Sequence, residues 1–67
     1  MFPTPDEIKK ATQIELAYML AGGHKHGEID ISFPQYGIEM IVFVKDGKMD
    51  HAKITKHPKG IRPRIRF

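Results

Sequence analysis

The chain has 67 residues, of which 28% are charged, 40% are hydrophobic and none is cysteine, with a formal net charge of +3. A chain this short makes one domain that buries only about 60% of the surface its unfolded form exposes. Without cysteine, neither a disulfide nor a thiolate metal site can add stability, so oligomerisation is the expected supplement. No run approaches the ~18 apolar residues of a membrane span, and the first residues lack the charged-then-apolar layout of a signal peptide, so a cytoplasmic protein without membrane association is expected.

The charge is unevenly placed. Residues 1–44 carry three lysines against six acids, a net −3, whereas residues 45–67 carry eight lysines and arginines against two aspartates, a net +6. A basic half suits an anionic partner, and the asymmetry suits attraction between copies of the chain equally well.

Thr4-Pro5-Asp6-Glu7 predicts a helix start. Thr4 is a capping residue, Pro5 fits the first helical position, both acids face the positive end of the helix dipole, and Glu7 completes a capping box. Gly22-Gly23 predicts its end, because glycine adopts the left-handed conformation of a helix C-terminus without a Cβ clash. Over Pro5–Ala21, at 100° per residue, Ile8, Ala11, Ile14, Leu16, Tyr18, Met19 and Leu20 cover an arc of roughly 240°, while a helix lying on one sheet needs only about 100°. Asp6, Lys10 and Gln13 mark the narrow polar side. The surplus apolar surface predicts a second copy as its cover, with Ile14 and Tyr18 in the contact.

His24-Lys25-His26-Gly27 reads as a polar connection. Glu28 to Phe33 then alternates strictly, Ile29, Ile31 and Phe33 against Glu28, Asp30 and Ser32, as a half-buried strand does. Pro34-Gln35-Tyr36-Gly37 predicts a turn or short loop. Ile38 to Val44 places Ile38, Met40, Val42 and Val44 on one face. Ile41 and Phe43 lie on the other among Glu39 and Lys45, so the second face is also expected to meet a partner.

Asp46-Gly47 between this strand and Met49–Ile54 is a strong hairpin signal. Two registers remain open. A two-residue loop sets Val44 opposite Met49 and Ile41 opposite Ala52; a three-residue loop with a glycine bulge sets Val44 opposite Lys48 and Met40 opposite Ala52. His57-Pro58-Lys59-Gly60 breaks the strand. In the tail, Ile61, Pro63, Ile65 and Phe67 alternate with Arg62, Arg64 and Arg66. Proline bars a central strand, so residues 61–67 are expected as a fourth, edge strand or as an extended arm appended to the domain of residues 1–60.

Arg62, Arg64 and Arg66 beside Lys53, Lys56 and Lys59 form the leading candidate site. Guanidinium groups make paired, planar hydrogen bonds to carboxylates or phosphates, although an edge strand also wears charge simply to prevent sheet pairing. A phosphate contact would supply affinity without sequence readout, and the helix has no arginine-bearing face for a major groove. Among the histidines, His24 and His26 are the candidate metal ligands, with Glu28 or Asp30 and His51 or His57 as further donors. Their spacing matches no zinc motif, and a solvated linker accounts for them. Glu39 or Asp50 beside His51 could be drawn into general-base chemistry, but a domain this small rarely encloses a catalytic pocket, so no enzyme, cofactor or small-molecule substrate is expected. Phe33, Tyr36 and Phe43 interleave with charges, yet lack the signatures of base-stacking proteins.

Tyr36-Gly37-Ile38, Ile41, Val42, Val44, Lys45-Asp46-Gly47-Lys48, Ile54-Thr55-Lys56 and Arg62 resemble a group of small uncharacterised bacterial and phage proteins that end in a glycine-led strand, an Asp-Gly-Lys turn and a basic strand. The resemblance spans about a third of the chain and departs in the long helix and the 61–67 tail. It implies the hairpin and carries no activity or site residues.

The expected fold is therefore α+β: one N-terminal helix on a three-stranded, or with the tail four-stranded, antiparallel meander. Ile8, Leu16, Met19 and Leu20 are expected to meet Ile29, Ile31, Phe33, Met40, Val42 and Val44 in the core. The expected function is a self-associating, non-catalytic interaction protein that uses Ile14, Tyr18, Ile41 and Phe43 between copies and a basic C-terminal edge for an acidic protein. The alternative is a small nucleic-acid-binding regulator using the same basic edge.

Overall fold

A computed structural model describes residues 2–60 and 62–67. Thr4 caps helix α1 (Pro5–Ala21): the Glu7 N–H donates to Thr4 Oγ1 at 3.2 Å, and the Thr4 N–H donates to Glu7 Oε1 at 3.1 Å. Two donors at the helix start are thereby satisfied reciprocally. At the other end the Gly23 N–H reaches Leu20 O at 3.0 Å and the His24 N–H reaches Met19 O at 2.9 Å. Gly23 lies at φ +80. This is the Schellman arrangement, and a side chain at Gly23 would strain it.

Four antiparallel strands follow, β1 (Gly27–Phe33), β2 (Ile38–Lys45), β3 (Lys48–Lys56) and β4 (Arg64–Arg66), in spatial order β1-β2-β3-β4. A single 3-10 turn, Pro34–Tyr36, joins β1 to β2. The tail is thus a fourth, edge strand. Its proline lies just before β4 and has no N–H to give, while its carbonyl accepts from the Ile54 N–H at 3.2 Å. Ile61 lies outside the described residues.

The hairpin register follows the two-residue alternative at the turn and neither alternative beyond it, because an extra residue at Asp50 sets Ala52 opposite Val42 rather than Ile41 or Met40. Asp46 at φ 53 and Gly47 at φ +77 make a two-residue turn, and Val44 pairs with Met49. Asp50 is then bulged, so Phe43 pairs with His51, Val42 with Ala52 and Ile41 with Lys53; a second irregularity at Thr55 brings Glu39 opposite Lys56. Thr55 Oγ1 donates to Glu39 O at 3.1 Å at that point. With this register Ala52 and Ile54 join the buried face.

That face carries the core in rows across the sheet: Ile29, Val42, Ala52 and Ile65, then Ile31, Met40 and Ile54. Ile8 and Thr12 of α1 descend onto it with no exposed surface, and Leu16 and Met19 pack at its margin. Each fully buried branched side chain contributes ~1.5–3 kcal/mol. The expected core is corrected at four positions. Leu20 is 43% exposed and leans over the hairpin turn, against Gly47, while Leu16, Met19 and Ile31 are only partly buried and pack against the core from its margin. Thr12, absent from the expected core, is at its centre. The Cα extents are 37 × 18 × 16 Å, one helix layer on one sheet layer, which leaves the opposite sheet face without a covering element among the described residues.

Candidate functional site

Strand alternation sends Glu28, Asp30 and Ser32 of β1, Glu39, Ile41 and Phe43 of β2, and Lys53 of β3 to the face away from α1. β4 continues the pattern: Ile65 pairs with buried Ala52, so Arg64, opposite Lys53, and Arg66, opposite His51, point outward. Lys53, Arg64 and Arg66 therefore form one cationic block. Lys56 is drawn to Glu39, with its Nζ 3.8 Å from Oε2, and exposed Lys59 and Arg62 lie in and after the turn that leaves β3. The six predicted basic residues thus divide between a compact group and a looser one.

His51 belongs to the compact group and was not among the residues expected there. A bulge sets two residues of one strand against one of its neighbour and re-aims their side chains. Here it brings Asp50 Oδ2 to 2.7 Å from His51 Nδ1. A carboxylate only accepts, so Nδ1 carries the proton of that bond. The imidazole stacks on Phe43 at 4.5 Å between centroids and 15° between planes. The bond to His51 is the main cause holding the Asp50 carboxyl below its usual range, with the charges of Lys45 and Arg66 adding to it. Between β3 and β4, Asp50, His51, Arg64, Arg66 and Phe67 line a cleft of about 260 Å³. The lining offers cations and an oriented imidazole, and no hydroxyl or thiol nucleophile.

The other candidates lie elsewhere. His26 Nδ1 accepts the Asp46 N–H at 3.4 Å and its Nε2 is 3.7 Å from Asp46 Oδ1, while the Gly47 N–H donates to Lys25 O at 2.9 Å. The connection expected as a solvated linker is thus fastened to the hairpin turn. His24 is exposed, and no group of three or more potential ligands is placed to hold a metal among the described residues. Ile14 and Tyr18 are 70% and 76% exposed and border a shallow apolar groove on α1 with Ala17 and Ala21, on the opposite side of the molecule from the outer sheet face. Ile41 and Phe43 are half-buried in the middle of that sheet face.

No helix among the described residues is long and apolar enough to cross a membrane. No family model, curated protein or solved structure matches the chain.

Proposed function

We propose that this chain is a small, non-catalytic, self-associating interaction protein of the cytoplasm that offers the basic β3–β4 side of its sheet to an acidic protein surface. The observation that carries this reading is the in-register block of Lys53, Arg64 and Arg66 on an open sheet face, next to the half-buried Phe43. Guanidiniums fixed on a strand present their planar donor pairs to carboxylates with little further ordering. A protein partner is favoured over nucleic acid because Glu28, Asp30 and Glu39 share the same face. A phosphate backbone laid across the strands would meet Glu39 two strand spacings from the arginines and Glu28 and Asp30 three spacings, about 14 Å, away.

The test is a titration of a fluorescent oligoglutamate peptide, with single-stranded and duplex oligonucleotides in parallel, at low and moderate salt. Peptide binding that weakens with salt and is lost in Arg62→Ala/Arg64→Ala/Arg66→Ala is the expected result. Oligonucleotide binding with a steep salt dependence, lost in the same variant, would favour the nucleic-acid regulator instead. Peptide binding that ignores the triple substitution would remove the basic edge from the account.

A further inference from the structure

The outer sheet face is graded in charge from one edge to the other. One row across the four strands runs Glu28, Phe43, His51, Arg66, and the next runs Asp30, Ile41, Lys53, Arg64. Each reads acid, apolar group, base, arginine. Among the described residues, close contacts between bases and carboxylates join His26 to Asp46, His51 to Asp50 and Lys56 to Glu39. Glu28, Asp30, Arg64 and Arg66 are thus fixed at opposite edges, about 14 Å apart, with no ion-pair partner among the described residues of their own chain.

We infer that the occupant of this face is a second copy of the chain, in a closed two-fold dimer whose axis runs along the strands, between the two sheets and between β2 and β3. The inference rests on the interaction reading above and deepens it by naming the acidic partner. Rotation about that axis lays β1 of one copy over β4 of the other and preserves position along the strands. Glu28 then meets Arg66 of the second copy, Asp30 meets Arg64 and Glu39 meets Lys56, while in the middle Phe43 meets His51 and Ile41 meets the aliphatic stem of Lys53. A two-fold axis running across the strands would instead stack β1 on β1 and β4 on β4, carboxylate on carboxylate and guanidinium on guanidinium, which is strongly disfavoured. Charge therefore selects one of the two symmetric stackings.

Depressions lie on both sides of the face, one of about 490 Å³ bordered by Asp30, Ser32, Glu39, Ile41 and Thr55 and the cleft of about 260 Å³ at His51, Arg64 and Arg66, so charge rather than shape sets the pairing. Stacked sheets lie about 10 Å apart with their strands nearly aligned, a gap that paired Arg and Glu side chains span. Lys45 and Lys48 fall near one another's copies at the rim, where both are exposed and free to extend into water. Four strands present a footprint on the order of 400 Å² per copy, about half the usual area of a stable complex, so the dimer is a weak one whose affinity rests on its charge pairs. The groove at Ile14 and Tyr18 has no such complementary pattern, and it stays open in this dimer.

Sedimentation velocity at low salt tests this with the whole chain from about 5 to about 500 µM, a range suited to a weak dimer. The wild type is expected to shift from monomer to dimer. Glu28→Arg/Asp30→Arg and Arg64→Glu/Arg66→Glu are each expected to weaken the dimer on the order of 100-fold or more, and their equimolar mixture to restore it as a heterodimer. All four positions are exposed, so circular dichroism should remain that of the wild type. Ile14→Glu/Tyr18→Glu is expected to dimerise normally. A wild type that stays monomeric at the highest concentration, a dimer indifferent to both reversals, or assemblies growing beyond two copies through β1–β4 edge pairing would each overturn the inference. A monomer that still binds oligoglutamate would leave the interaction reading standing without this dimer, whereas a monomer that binds no acidic peptide would remove both.

Discussion

Thr12 is a polar side chain at the centre of the core, and its hydroxyl does not depend on the sheet for a partner. Oγ1 donates to Ile8 O at 3.0 Å and to Lys9 O at 3.1 Å, and rests 3.3 Å from Met49 Sδ. Bonded back to its own helix, it packs as a small hydrophobe, which is why its position could not be read from residue type. Thr12→Val should change the unfolding free energy from urea titration by no more than about 1 kcal/mol, since both carbonyls remain in the helical ladder, whereas Thr12→Ala should cost about 1–2 kcal/mol through the void beside Met49. The helix start was legible because capping chemistry is local, and the structure adds one long-range bond to it. Tyr36 Oη donates to Glu7 Oε2 at 2.8 Å. The Thr4 N–H and that phenol hold the Glu7 carboxyl below its ordinary value of 4.5. A lowered carboxyl stabilises the fold above its unfolded pKa and loses that contribution as pH falls through the folded one. The difference in urea midpoint between wild type and Glu7→Gln should therefore be full near neutral pH and shrink as pH drops below 4.5. A difference independent of pH would mean that the carboxylate charge is not what holds the cap.

At the level of elements, each strand announces itself by alternation, but β3 conceals its register. The bulge at Asp50 and the irregularity at Thr55 each add a residue that no hydrophobic period marks, and only the sheet shows which face Ala52 and Ile54 take. The same bulge hid the site, because the row Phe43, His51, Arg66 exists only once the register is known. The turn itself was readable, since Asp-Gly fits two consecutive positive φ angles. Gly47→Ala should cost about 1–2 kcal/mol in urea unfolding, because the position lies at φ +77 and a Cβ there would sit 3.2 Å from Leu20 Cδ2. Asp46→Asn keeps a residue tolerant of that geometry and should be nearly neutral, so equal losses in the two variants would contradict the turn assignment. The breadth of the apolar arc on α1 was also legible from spacing. Ile14 and Tyr18 remain largely exposed, while Leu20 was misplaced because a helical wheel does not show where the turn β2–β3 passes beneath the helix.

For the whole molecule, the decisive quantity is how little a single copy has to spare. One helix on one side of a four-stranded sheet leaves Ile41 and Phe43 only half-buried, and a domain of this size sits close to the limit of independent stability. Association that is specific to the folded chain raises apparent stability by mass action, about 1.6 kcal/mol per chain for a homodimer at a total concentration a hundred times its dissociation constant, where roughly 7% of the chain is free monomer. In a domain this small, 1 kcal/mol moves the thermal midpoint by roughly 4–8 °C, so a concentration series reaching that excess should raise Tm by about 6–13 °C. Circular dichroism in cells of decreasing path length follows it without a label. The rise should shrink in high salt, because exposed ion pairs at the rim of a small interface are screened over about a Debye length. It should vanish in Arg64→Glu/Arg66→Glu, whose own core is untouched, and return when that variant is mixed with Glu28→Arg/Asp30→Arg. A midpoint that is flat with concentration in the wild type would mean that the monomer's buried rows suffice by themselves. The graded face would then be free for an acidic partner other than the chain itself.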